Sequence, residues 1–495
     1  MNKLFFNPSA KVVAAFMLIC TACASPANSP TSSTPASVEE NSAIGVQLNV
    51  TPIPTRPAFT PGQLVDYTAQ SGDTLTALAS RFNTSVDEIL ATNSFIPRDA
   101  TTMPPGMPIS MPIYYRALWS SPFKILPDHA FVNGPANSGF STAAFVAAQP
   151  GWLSSYRSYV GGEWKTGAEL VDYAAINYSL NPKLLLAILE YQGGALTQNE
   201  PPVKKRLLGF TRPFWDTPYL QLVLASNVLN NGYYGWRTGS LIEFEDVDGN
   251  IIRPDPWQNA GSAGLQFYFS QIYSGEQYAQ AVSPEGLYRT YVNLFGEAWD
   301  ESLVLIPGSL QQPELLLPFP ADQTWNFTGG PHTGWGTGIP FAALDFAPPS
   351  EKSGCTPAKV ENFATASANG LVVRSTTDGL ALDLDRDGDE RTGWVLFYLH
   401  LATEERAPLG SDLKAGDKIG YPSCEGGRST GTHIHIARKY NGEWIPADGA
   451  LPFVLSGWIP HNGLAAYQGT LTKGGLTVIA CECGDAYTSI SGNYP

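Results

Sequence analysis

The triplet His433-Ile434-His435 constrains the C-terminal third of this chain more than any other feature. Residues i and i+2 share a face in an extended strand, so the triplet makes one chemical surface when it lies in a sheet. The sequence holds six histidines, and four fall between residues 332 and 435. His332 precedes Asp345, and His400 closes the apolar run Val395-Leu396-Phe397-Tyr398-Leu399. Two imidazoles from one strand, with a third histidine and a carboxylate, suit a Zn²⁺ site that keeps one position open for water. The pattern predicts a metallohydrolase site carried on strands.

Three motifs follow one another here: Tyr398-Leu399-His400-Leu401, Leu413-Lys414-Ala415-Gly416-Asp417-Lys418-Ile419-Gly420, and Ser429-Thr430-Gly431-Thr432-His433-Ile434-His435. In this order they resemble the M23 (LytM-type, lysostaphin-like) zinc endopeptidases, which cut the peptide part of bacterial peptidoglycan. The resemblance spans about residues 318–475. It implies a β-rich peptidase domain and one Zn²⁺, with His435 and Asp345 as metal ligands and His433 and His400 as catalytic histidines. That family usually places its first ligand histidine four residues before the aspartate, where this chain has Phe341. His332, thirteen residues before Asp345 in the glycine-rich run 329–336, is expected to replace it from a loop that folds back. In the implied chemistry a zinc-activated water loses its proton to His433, and His400 steadies the oxyanion. Loss of the first ligand would instead leave a non-catalytic wall-binding scaffold or hydrolase activator, and the sequence keeps that alternative open.

At 495 residues the chain exceeds a single domain. A hydrophobic content of 43%, twelve tryptophans and only 15% charged residues describe ordered globular material. The net charge of −15 argues against nucleic acid as a partner, and wall binding then needs a specific site. Lys3 and Lys11 flank an apolar run, Val12 to Ile19, that reads as an export signal and is too short for a membrane span. Cys20-Thr21-Ala22-Cys23 resembles a lipobox, with Cys23 as the lipidated residue and ordinary cleavage after Ala24 as the competing reading. The protein is therefore expected to be exported to the cell envelope and lipid-anchored to a membrane. Export makes a Cys355–Cys424 disulfide the expected pairing, closing a loop of about 70 residues and contributing about 4 kcal/mol. Cys481 and Cys483 read as structural.

The predicted organisation is multidomain: a lipoprotein-type signal (1–23), a disordered linker (24–62), a LysM module (63–115), a helical domain of uncertain role (116–316), the peptidase (317–475) and a C-terminal extension (476–495). Tyr67–Leu75, a helical pattern through Phe82, the capping box Ser85-x-x-Glu88 and Met103-Pro104-Pro105-Gly106 give a strand–helix–helix–strand unit. This unit resembles LysM domains, which bind N-acetylglucosamine chains between the first strand–helix turn and the loop after the second helix. The matching glycan-binding positions are Gly72, Asp73 and Thr74, with Asn93, Ser94, Phe95 and Ile96. Peptidoglycan is the expected partner, its glycan held by LysM and its peptide by the peptidase.

In the middle region, Thr166-x-x-Glu169 and Asn181-Pro182 predict two helices, to about Asn177 and to Gly193, and a third spans Pro218–Asn230. Glu190, near the end of an apolar helix, faintly resembles the catalytic acid of lysozyme-like transglycosylases, with Tyr233, Tyr234 and Trp236 as candidate walls of a sugar cleft. The run Asp383–Glu390 echoes half of an EF-hand loop, but Trp394 stands at its twelfth place. A solvated acidic turn is expected there in preference to Ca²⁺.

Overall fold

The computed structural model describes Arg56 and residues 58–117, 119–300, 302–350 and 354–492. The expected signal segment, Cys23 and nearly all of the linker lie outside the described residues. No helix among the described residues is long and apolar enough to cross a membrane.

The first module is β1 (Gln63–Thr68), α1 (Leu75–Phe82), α2 (Val86–Thr92) and β2 (Pro108–Ile113), with β1 and β2 antiparallel. Thr74 caps α1 by accepting from Ala77 N, and the Ser85/Glu88 capping box opens α2, as the sequence pattern requires. The helices bury Leu78, Phe82 and Ile89 against Ile109 and Met111. Just before this module Arg56 pairs with Asp255 and stacks over Trp257 at 3.8 Å, so docked structure begins inside the stretch read as linker.

The middle region is helical: α3 (Asp128–Phe131), α4 (Thr142–Ala147), α5 (Gly167–Tyr178), α6 (Pro182–Gly193), α7 (Pro218–Thr238), α8 (Ala260–Ser270), α9 (Gly275–Ala281) and α10 (Leu287–Phe295). Two short hairpins interrupt it, β3 (Arg157–Val160) with β4 (Glu163–Thr166) and β5 (Phe244–Glu245) with β6 (Ile251–Ile252). Helix α7 continues past Asn230 because Tyr233, Tyr234 and Trp236 extend its buried face.

The C-terminal region is strand-built: β7 (Thr324–Thr333), β8 (Phe341–Ala347), β9 (Ala364–Thr365), β10 (Gly370–Thr376), β11 (Gly379–Asp383), β12 (Trp394–Leu399), β13 (Asp412–Leu413), β14 (Lys418–Gly420), β15 (Ile434–Tyr440), β16 (Glu443–Trp444), β17 (Ile459–Asn462), β18 (Gly469–Lys473), β19 (Leu476–Ile479) and β20 (Ser489–Ser491). The main sheet runs β13-β10-β11-β12-β15-β8-β7-β20, with β16 paired to β15. The residues after 475, set apart above as an extension, supply β19 and the edge strand β20 beside β7.

Alternation along β12 explains the unbroken apolar run read from the sequence. Leu396 and Tyr398 point into one core, while Phe397 and Leu399 point into the core shared with the helical region. Both sheet faces are therefore covered, and burying each of these side chains contributes about 1.5–3 kcal/mol. Ala343, Ala437 and Trp444 lie in the same cluster as Leu185, Leu229 and Tyr233. The helical layer and the sheet thus share one core.

Candidate metal centre

His435 comes from β15, Asp345 from β8 and His332 from β7, which are adjacent in the sheet. His435 and Asp345 are direct register partners. Opposite Asp345 on its other side stands Gly329, and register breaks between Phe327 and Thr333 bring His332 to the same space. A Cβ at Gly329 would sit 2.4 Å from Asp345 Oδ2, so the carboxylate lies over a position that has to be glycine. The glycine-rich segment was expected to return His332 from a loop. It is instead the bulged end of β7, because the glycines relieve crowding within a ladder rather than end it.

The three donor atoms converge. His332 Nε2 lies 3.0 Å from His435 Nδ1, and each lies 3.3 Å from Asp345 Oδ1. A tetrahedral ion with ligands at about 2.0–2.1 Å spaces them by roughly 3.3–3.4 Å. The backbone fixes the tautomers: His332 Nδ1–H donates to Gly330 O at 2.8 Å, and His435 Nε2–H donates to Gly334 O at 3.1 Å. Both nitrogens facing Asp345 therefore present lone pairs. Asp345 Oδ1 is buried without a hydrogen-bond partner. Three acceptors facing one another with no proton between them fit a cation, and the mixed nitrogen and oxygen donor set suits Zn²⁺. Burial alone would raise the Asp345 pKa; protons on His332 and His433 would pull its carboxyl well below the usual range, as a cation held in their place would. Burial pushes His435 down, favouring the neutral imidazole that a metal requires.

Two further imidazoles flank the triad. His433 Nδ1–H donates to Gly431 O at 2.7 Å, and its Nε2 lies 3.7 Å from Asp345 Oδ2. His400 Nδ1–H donates to Glu425 O at 2.8 Å, and its ring centroid lies 4.5 Å from that of His433. Burial, with His433 and His435 nearby, pushes His400 down to about 3. His400 sits at φ 63°, a left-handed conformation that costs a non-glycine residue about 1–3 kcal/mol. The Cys355–Cys424 disulfide lies beside these two histidines. Glu425 holds His400, and Thr432, next to His433, bonds Gly354 and Thr356 beside Cys355.

Several neighbours have no sequence signature. Tyr467 stacks on His332 with centroids 4.2 Å apart, from the turn between β17 and β18. Asn227 and Asn231 of α7 hold the turn that joins His332 to Asp345. Asn227 Oδ1 accepts from Thr337 N at 2.7 Å, and Asn231 Oδ1 accepts from Ile339 N at 2.9 Å. Only a contact between distant segments reveals such residues.

Other sequence candidates serve local structure. Glu190 accepts from Leu196 N and Thr197 Oγ1, so its carboxylate closes the turn after α6. Tyr233, Tyr234 and Trp236 are at most 1% exposed and form core instead of a sugar cleft, because α7 is sandwiched between the other modules. In the first module Asp73 is buried against Arg81, Tyr67 and Gln70, and Asn93 pins α2 to Ser110. Gly72 and Ile96 are buried, Thr74 caps α1, and Ser94 and Phe95 are exposed. The acidic run is the turn between β11 and β12, where Asp383 accepts from Asp385 N and Gly388 N.

Comparison with known proteins follows this layout. Residues 67–112 match the LysM domain, and residues 124–309 match the N-terminal domain of LasA. Protease LasA of Pseudomonas aeruginosa (strain UCBPP-PA14) is 24% identical over 345 residues, covering 66% of this chain and 76% of that protein. Beta-lytic metalloendopeptidase of Achromobacter lyticus is 30% identical over 152 residues, covering 29% of this chain and 37% of that protein. The M23 metalloprotease pseudoalterin, a solved structure, is 21% identical over 34% of this chain and 96% of its own, with a TM-score of 0.29. The chain carries a LysM domain and a LasA-like region.

Proposed function

We propose that this protein is an exported, zinc-dependent endopeptidase that hydrolyses peptide bonds in bacterial peptidoglycan, with the LysM domain recognising glycan and Cys23 supplying a lipid anchor. The observation that carries the reading is the convergence of three acceptor atoms from His332, Asp345 and His435, flanked by His433 and His400. Those three residues would hold one Zn²⁺, which supplies a Lewis acid and brings the pKa of water toward about 7.

The chain's own groups supply the proton chemistry. With Nδ1–H committed to Gly431 O, His433 offers Nε2 as the base that takes a proton from the attacking water and returns it to the leaving amine. His400, neutral and committed through Nδ1–H to Glu425 O, also rests as an acceptor at Nε2. It stabilises developing negative charge only in its protonated form. The alternative of a scaffold with a degenerate site rests on Phe341, and the complete donor triad disfavours it.

The test is release of free amino groups from purified peptidoglycan by the zinc-supplied protein, with and without a chelator, counting reducing ends in parallel. Chelator-sensitive amine release without reducing ends is expected. No release from folded protein would contradict the reading. New reducing ends abolished by Glu190→Gln would move the activity to the helical region.

A further inference from the structure

We infer that the segment Ile306–Leu310, which leads from the helical region to the peptidase, acts as an internal strap in the LysM groove that a glycan chain has to displace. The inference rests on reading the LysM domain as a glycan binder. The lips of that groove are the β1–α1 turn and the loop between α2 and β2, and the strap bonds both. Ser71 Oγ accepts from Ile306 N at 2.6 Å and donates to Ile306 O at 3.1 Å. On the facing lip, Ser309 N donates to Thr102 O at 2.9 Å, and Leu310 N donates to Thr102 Oγ1 at 3.0 Å. Thr102 Oγ1 donates to Pro307 O at 2.7 Å, and Thr101 Oγ1 donates to Leu310 O at 2.6 Å.

These hydroxyls and backbone groups are the ones a sugar hydroxyl or acetamido group would use, and here a peptide takes them. The strap is seated closely. A Cβ on Gly308 would lie 2.5 Å from Pro104 Cα, and Ile306 and Leu310 are 2% and 6% exposed. The far side of the turn is also engaged: Arg237 bonds Ser71 O, and Gly72 and Thr74 face a half-open cavity of about 410 Å³ that Ile306 and Leu310 also line. Phe95, 62% exposed on the second lip, is left as a foothold for an arriving chain. Glycan affinity in the assembled protein is thereby reduced by the fraction of time the strap is closed, and glycan binding is coupled to release of the junction between the modules.

The experiment titrates the full chain, as wild type and Gly308→Val, with a soluble tetramer of β-1,4-linked N-acetylglucosamine. Gly308→Val pushes the strap off Pro104 and is expected to bind roughly tenfold tighter or more. In wild type, saturating tetramer should accelerate amide exchange at Ile306, Ser309 and Leu310, a readout that holds even if the variant misfolds. Equal affinities with unchanged exchange while the tetramer is bound would overturn the strap alone. Absence of binding by either protein would overturn both the strap and the glycan reading.

Discussion

Opposite Asp345, the missing side chain of Gly329 leaves room for a carboxylate to lie over the ladder. Gly329→Ala is expected to displace Asp345 and weaken zinc binding about 10–100-fold, read by competition with a chromophoric chelator. A second residue gives a pH signature. Burial pushes the Lys439 ammonium down to about 7, with Glu390 opposing and Arg374 adding to the effect. Between that value and the unfolded pKa of about 10.4, the unfolded chain binds a proton that the native chain does not. Stability should therefore fall as pH drops from about 10 to about 7, by up to about 1.4 kcal/mol per unit, and level off below. Lys439→Met should flatten this slope in denaturant titrations and raise stability at pH 7. At this scale much of the site was legible, because histidines are scarce and strand periodicity says which of them share a face. Tyr467 was not legible: a tyrosine in a short turn carries no pattern, and its stack on His332 exists only after β17 and β18 fold beside β7.

Among the elements, the β7–β8 hairpin carries two of the three proposed ligands, and α7 clamps its turn. Asn227→Ala removes the acceptor for Thr337 N and Thr337 Oγ1. It should cost about 1–3 kcal/mol and speed zinc loss, as followed by zinc release at constant temperature while the circular dichroism stays native. Caps made three of the helices readable: Thr166 with Glu169, Ser85 with Glu88, and Asn181 before Pro182 each open the helix their chemistry favours. The glycine-rich run before Asp345 was misleading for a physical reason. Glycine frees a backbone for a loop and equally allows close approach inside a sheet, and the sequence alone does not distinguish the two.

Over the whole molecule, modules that read as separate units converge on Arg237. Its guanidinium pairs with Glu443 of β16 and Asp128 of α3, donates a hydrogen bond to the Tyr233 hydroxyl, and donates to Ser71 O of the LysM turn. Burial raises the Glu443 pKa and Arg237 opposes it, so the pair stands or falls together. Arg237→Met would leave two carboxylates buried without their cation, a loss of about 3–5 kcal/mol, and calorimetry should show the modules melting earlier and together. Two well-separated transitions in the wild type would contradict the shared core. The LysM unit and the helical and strand-rich character of the two regions after it were legible from local motifs, but their fusion was not, since it depends on side chains such as Glu443 and Tyr233 meeting across more than 200 positions.

The role proposed for His332 is to complete the metal site in place of the histidine missing at Phe341. Its most direct measurement is the zinc content of the purified full chain and of His332→Ala after dialysis against metal-free buffer. The prediction is one equivalent in the wild type and almost none in the variant. A variant that keeps its full equivalent of zinc would contradict the triad.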